Sequence, residues 1–354
     1  MHNYHENIEH GGHKQLTNVE RILDLSVNVN PKGPAKTILK AIQNADWQSY
    51  PDPKYRELKK LIATKYNCSL ENIHLGNGAA DIFQRIPLLF NQQSSARYLI
   101  LTPCFSEYAS AWQGKGIQQE LSASFEHGFV RPIKEIADHL KKNTQDICYL
   151  CTPASPTGVS YDLNEVKELA LRFSETLFVL DLAFIDYSQK CLQQYLVLPK
   201  NILKVFSLTK VHGIAGLRIG FCIGNAKLIS ALEKTQCRWA INAGAEAAAK
   251  QCLQLTKLTK NHVLQVLDVR KYLVDKLNMN PDITFHYADA PYVLIAIKNK
   301  GSLHFTRWLL RKARIFVRPC DSFGLAGWIR VFPHSHSAID RFMFYLERYF
   351  NYEH

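Results

Sequence analysis

No stretch of this chain of 354 residues approaches the roughly 20 consecutive apolar residues a membrane-spanning helix needs, which argues against a membrane protein. The N-terminal MHNYHENIEHGGHK is polar and lacks the apolar core of a secretory signal. Internal repeats and low-complexity tracts are absent. So are an arginine-rich arm and any basic run interleaved with aromatics. The formal net charge of +12 therefore points to small anionic ligands rather than to nucleic acid. Cysteine is present without a ligand pattern: the nine are odd in number and scattered. Cys148 and Cys151 have Cys-x-x-Cys spacing, but in a strand-like run their side chains point to opposite faces, against a metal or redox pair. The cysteines read as reduced thiols of a cytoplasmic protein. His2, His5, His10 and His13 crowd the N-terminus without the spacing of a common zinc site. A solvated tail and an arm that touches an anionic site both account for them, and no metal is expected.

With 47% hydrophobic and 21% charged residues, the chain is an ordinary globular sequence with room for a large core or two domains. Candidate strands are Tyr98–Thr102, Ile147–Cys151, Leu177–Leu180, Val205–Ser207 and Ile219–Ile223. They are apolar on both faces, as in a parallel sheet covered by helices. Between two of them, LNEVKELALRF places Val166, Leu169, Ala170 and Phe173 on one helical face. This alternation predicts a doubly wound α/β domain over residues 36–250, with ligands at the carboxyl ends of its strands. Beyond it, a long helix (260–277), the strands PYVLIAI, IFVRPC and WIRVF, and two further helices predict a smaller α+β domain over 251–354. Residues 1–35 read as an arm that packs on the smaller domain or on a partner subunit.

The chemistry concentrates in SLTKVHGIAGLRIGF, residues 207–221. Lys210 ends a short apolar strand, where an amine loses solvation and becomes a nucleophile. Ser207, Thr209 and Arg218 stand ready to hold a phosphate beside it. An amine for an aldehyde plus a phosphate anchor is what pyridoxal 5'-phosphate requires; a surface lysine after a strand is the plainer reading of the lysine alone. Four other segments join it. Gly76-Asn-Gly78-Ala79-Ala80 is a glycine turn opening a helix, a place for an anion or simply a turn. Phe105 follows a strand and suits stacking on a flat ring, or belongs to the core. Ser155 lies in the rigid Cys151-Thr-Pro-Ala-Ser-Pro-Thr-Gly158 turn and can donate to a ring hydroxyl. Asp181 ends LFVLD, where a carboxylate is costly unless paired, with a pyridinium or with a structural arginine.

Taken in order through one sheet, these segments resemble the fold-type I pyridoxal-phosphate enzymes of the aminotransferase superfamily, over nearly the whole chain. His10-Gly-Gly12, Leu23-Asp-Leu-Ser-Val-Asn-Val-Asn-Pro31, Tyr50-Pro-Asp52, Thr102-Pro-Cys-Phe-Ser-Glu-Tyr108 and Asp181-Leu-Ala-Phe-Ile-Asp186 are similar to the threonine-phosphate decarboxylase branch of cobalamin biosynthesis, itself close to histidinol-phosphate aminotransferases. The His-Gly-Gly opening followed by Leu-Asp-x-Ser-x-Asn-x-Asn-Pro discriminates most.

The resemblance implies pyridoxal phosphate as cofactor and a fold-type I architecture, with a large doubly wound mixed sheet and a smaller α+β domain. It implies Lys210 as covalent partner of the aldehyde, Asp181 on the pyridine nitrogen and Phe105 on the ring. Gly78, Ala79, Ala80, Ser207, Thr209 and Arg218 would hold the phosphate, joined by Tyr50 from the second subunit of a homodimer. Arg330 matches the family's carboxylate-binding arginine, and Arg318, Asn30 and His10 are further candidates for gripping substrate. Departures from the family pattern are Ser155 in place of an asparagine, Leu182 after the aspartate, and His334 in place of a second arginine. The implied reaction is a cytoplasmic decarboxylation of L-threonine O-3-phosphate to (R)-1-amino-2-propanol O-2-phosphate. The competing readings are a histidinol-phosphate-type aminotransferase, a decarboxylase of a related substrate such as phosphoserine, and a non-catalytic regulator on the same fold.

Overall fold

The computed structural model describes residues 11–12, 22–90, 95–188, 199–298 and 301–352. After a short strand β1 (Leu23–Asp24) come β2 (Ile73–Gly76), β3 (Arg97–Thr102), β4 (Ile117–Ser122), β5 (Ile147–Cys151), β6 (Leu177–Asp181), β7 (Ile202–Ser207) and β8 (Gly220–Ile223). Strands β2 to β8 form a seven-stranded sheet in the order β2-β8-β7-β6-β5-β3-β4. Neighbours from β7 through β4 are parallel, whereas β8 runs antiparallel to both β7 and β2. The sheet is thus mixed. The Ile219–Ile223 run, read from its pattern as one of a parallel set, is the reversed strand. Burial on both faces makes either direction equally apolar.

The strand interiors explain the two-sided burial. In β5, Cys148 and Leu150 enter the core on one face, while Ile147, Tyr149 and Cys151 enter the core on the other. This is the two-residue period of a strand. Helices cover both sides; Leu163–Arg172, for instance, buries Val166, Leu169 and Ala170. No helix among the described residues is long and apolar enough to cross a membrane.

The smaller sheet has the order β12-β13-β10-β9, from β9 (Phe285–His286), β10 (Val293–Ala296), β12 (Arg318–Pro319) and β13 (Trp328–Val331), all antiparallel. The run IFVRPC is not one strand. Its first part, β11 (Ile315–Phe316), pairs with β1, and its second, β12, pairs with β13. Leu25 is fully buried in the core of this smaller unit. Phe332 N–H donates to the Leu25 carbonyl at 2.8 Å.

Candidate active site

The sheet topology gathers the chemistry at one edge. Asp181 closes β6, Ser207 closes β7, and Phe105 and Ser155 follow β3 and β5. Because β8 is reversed, its first residue lies at the same edge: Gly220 is in register with Ser207 and with Gly76. Arg218, just before β8, therefore arrives beside Gly78, just after β2. Asp181, Ser207, Phe105, Ser155, Gly78 and Arg218 line one cavity with Lys210, Arg318 and Arg330.

One end of the cavity is a turn built by close approach. A Cβ on Gly220 would lie 2.7 Å from the Ala79 nitrogen and 2.8 Å from the Phe206 carbonyl oxygen, so only glycine lets β8 meet this turn. Gly78 has φ +84°, and a Cβ there would lie 2.5 Å from Arg218 Nη2. Arg218 itself sits in the left-handed region at φ 54°. On the other side, the Ser207 and Thr209 hydroxyls lie 2.8 Å apart. Glycine at the turn, the leading amides of Ala79 and Ala80, two hydroxyls and a guanidinium make a donor set suited to a phosphate.

Lys210 is half-buried, with Nζ 5.9 Å from the Phe184 ring centroid. Burial, reinforced by the positive charges of Arg330 and Arg218 and opposed by Asp181, lowers its pKa to about 8. Asp181 is buried in turn. Its Oδ2 accepts from the Tyr108 hydroxyl at 2.6 Å and its Oδ1 from the Ala183 N–H at 2.9 Å. Burial raises its pKa, and these two donors oppose that rise. Phe105 packs edge-on against Phe83 and Tyr108. Amine, acid, aromatic face and phosphate cradle fit pyridoxal phosphate.

At the far side stand the two arginines of the smaller sheet. Arg318 and Arg330 are register partners on β12 and β13, and both are buried. Arg330 donates to the Ser155 hydroxyl at 2.9 Å and to the Ser26 carbonyl at 3.4 Å. With its oxygen turned toward the guanidinium, the Asn28 amide accepts from Nη1 and Nη2 at 3.2 and 3.3 Å. Ser155, expected to serve a ring hydroxyl, is thus already engaged by Arg330. Arg318 Nη2 donates to Ser322 at 2.7 Å.

Asn30 is not where the sequence reading put it. Its amide donates to the Val211 carbonyl at 3.1 Å and lies 3.0 Å from His262, away from the cavity. Asn28 lines the cavity instead. Both asparagines are buried, so composition alone did not separate them; the bend at Val29 lies between them. Tyr50 is 79% exposed in the single chain and packs against Trp239 with ring centroids 4.6 Å apart and planes tilted by 31°, outside the cavity. His10 lies outside the described residues. Its neighbour Gly11 lines the cavity, close enough to Ser26 that a Cβ would sit 2.8 Å from that carbonyl oxygen. Gly12 N–H donates to Ser26 Oγ at 2.8 Å. Sequence reasoning also missed Asn28, Phe83 and Phe323 as lining residues and Tyr108 as the partner of Asp181.

Comparisons with known proteins agree on the architecture. A family model described as "Aminotransferase class I and II" matches residues 20–346. The adenosylcobalamin biosynthesis bifunctional protein CobDQ of Leptospira interrogans serogroup Icterohaemorrhagiae serovar Lai is 31% identical over 340 residues, covering 91% of this chain and 39% of that protein. This chain thus matches well under half of that longer relative. A putative threonine-phosphate decarboxylase of Caldanaerobacter subterraneus subsp. tengcongensis is 33% identical over 322 residues, 84% of this chain and 81% of that one. Other relatives bear the name histidinol-phosphate aminotransferase. Among solved structures, L-threonine-O-3-phosphate decarboxylase from Porphyromonas gingivalis shares the fold, with TM-score 0.81, 22% identity, and coverage of 93% of this chain and 99% of that one.

Proposed function

We infer the activity from one premise: this chain belongs to the aminotransferase class I and II family. We propose that it is a pyridoxal-phosphate-dependent carboxy-lyase acting on an O-phosphorylated amino acid, with L-threonine O-3-phosphate as substrate and (R)-1-amino-2-propanol O-2-phosphate and carbon dioxide as products.

The observation that carries this reading is the pairing of Arg318 with Arg330. Two like charges directly opposite on neighbouring strands repel, and burial strengthens that repulsion. The arrangement is apt for a ligand that brings two anionic groups, as an amino acid phosphate does. The guanidinium fork suits both carboxylate and phosphate. The name of the relative at 33% identity favours the decarboxylase over other reactions of such a ligand.

When bound, pyridoxal phosphate supplies an electron sink for the pair left as a bond at Cα breaks. The chain's own residues do the rest. Ser207, Thr209, Arg218 and the Gly78, Ala79 and Ala80 turn would hold the phosphate of the cofactor, with Tyr50 of a second copy reaching in to complete a homodimer site. Asp181, kept in place by Tyr108 and Ala183, would hold the ring nitrogen, and Phe105 would cover the ring face. Lys210 would offer its amine to the aldehyde and would hold the proton that returns to Cα. Its lowered pKa leaves a substantial neutral fraction near pH 8. Arg330, steadied by Ser155, Asn28 and the Ser26 carbonyl, would orient the carboxylate that leaves, with Arg318 and His10 assisting on the phosphate.

A second reading is favoured by the relatives named histidinol-phosphate aminotransferase: the same groups would then remove the Cα proton. One assay separates the two. The loaded protein is given L-threonine O-3-phosphate with carbon dioxide detection, and histidinol phosphate with 2-oxoglutarate. Stoichiometric carbon dioxide without consumption of 2-oxoglutarate supports the proposal. Consumption of 2-oxoglutarate with no carbon dioxide overturns it.

A further inference from the structure

Asn30 grips the backbone that carries Lys210. Its N–H donates to the Lys210 carbonyl at 2.9 Å, and its Nδ2 donates to the Val211 carbonyl at 3.1 Å. Its Oδ1 accepts from Lys32 N–H at 3.1 Å. A backbone carbonyl only accepts and a backbone N–H only donates, so these two partners fix which end of the amide is nitrogen. The same Nδ2 lies 3.0 Å from His262 Nδ1. A donor facing Nδ1 requires that nitrogen to be an acceptor, which places the ring proton on Nε2 and leaves the imidazole neutral. Both hydrogens of Nδ2 are then used. The contact spans 232 positions of sequence and ties the helix Thr256–Asn278 to the lysine loop. The loop and the Asn30 turn also touch backbone to backbone: a Cβ on Gly213 would lie 2.5 Å from the Gly33 carbonyl carbon.

We propose that His262 is a positioning residue: as a neutral acceptor it holds the Asn30 amide across the Lys210–Val211 backbone and so fixes where the Lys210 amine stands in the cavity. The proposal rests on Lys210 being the reactive amine. His262 does not line the cavity, so its action there runs through the residues it touches, Asn30 first. Without an acceptor at His262, one hydrogen of a buried amide is unsatisfied, and the amide can rotate away from Val211. Burial and the neighbouring Lys32 both hold the imidazole below its ordinary pKa, the direction a neutral acceptor needs.

The test uses the full chain loaded with pyridoxal phosphate, in the wild type and in His262→Leu and His262→Asn. The asparagine keeps an acceptor near the place of Nδ1; the leucine does not. Nitrogen NMR should find the wild-type His262 protonated on Nε2 only. Exchange of the Asn30 amide hydrogen should quicken by about three- to tenfold in His262→Leu, the factor expected for one lost hydrogen bond, and return toward wild type in His262→Asn. The cofactor's absorbance titration should shift in the leucine variant and be restored in the asparagine variant. A wild-type ring protonated on Nδ1, or a folded leucine variant with unchanged exchange, overturns the proposal. Where the leucine variant fails to fold, the tautomer of the wild-type ring decides. None of these readouts uses a substrate, so they are judged separately from the reaction the protein performs.

Discussion

The Tyr108 hydroxyl donates to Asp181 Oδ2 at 2.6 Å in a buried pair that joins the segment after β3 to the end of β6. Asp181 has a second donor, the Ala183 N–H. Replacing Tyr108 by phenylalanine removes a hydroxyl donor from a buried carboxylate. The expected loss is about 1–3 kcal/mol of stability in the cofactor-free protein, read from urea unfolding, together with weaker cofactor binding. Unchanged values in both measurements would show that Asp181 does not depend on this hydroxyl.

Lys210 gives a pH dependence with a definite sign. Its folded pKa is lowered to about 8, so between pH 8 and its ordinary 10.5 the unfolded chain binds more protons than the folded one. Stability contributed by this group therefore rises with pH through that window and is lost as pH falls toward 8. The neutral amine that captures an aldehyde grows about fivefold between pH 7 and 8 and levels off above about pH 9. Stopped-flow capture of pyridoxal phosphate by the cofactor-free protein should follow that curve. A rate still climbing at pH 10 would contradict the lowered pKa. Lys210→Ala serves as the control, with turnover down by about 100- to 10,000-fold or more and the fold retained.

Arg330→Lys keeps the charge and loses the fork. Ser155, Ser26 and Asn28 lose their shared partner, and the carboxylate of the proposed substrate would lose its bidentate contact. KM for the amino acid phosphate should rise about tenfold or more, with a smaller fall in kcat. An unaltered KM would remove Arg330 from the substrate site.

Gly220→Ala tests the cradle. The added methyl meets the Ala79 nitrogen at 2.7 Å and the Phe206 carbonyl at 2.8 Å, both backbone atoms that cannot swing aside. The expected cost is about 1–3 kcal/mol in unfolding free energy, with faster release of the cofactor phosphate measured by dialysis.

Strands β5 and β6 were legible because a strand buried on both faces must be apolar throughout. Strand β4, IQQELS, was not. It is the sheet edge, its residues alternate between exposed and half-buried, and its polarity resembles a loop. The break of IFVRPC into β11 and β12 was equally hidden, since both pieces are buried and only their pairing partners differ. The direction of β8 left no mark in its composition.

The kinds of chemistry available were already written in the order of residues: a lysine, an acid, hydroxyls and glycines placed at the ends of apolar runs, where strands must stop and loops begin. Those are local facts, set by periodicity and backbone freedom. Which of them meet depended on the folded arrangement. The reversal of β8 brought Arg218 to Gly78, the register of β12 and β13 set Arg318 against Arg330, and across the bend at Val29 Asn28 faces the cavity while Asn30 meets the lysine loop. Such contacts join residues far apart in the chain, and strand pairing and close packing specify them where local pattern does not.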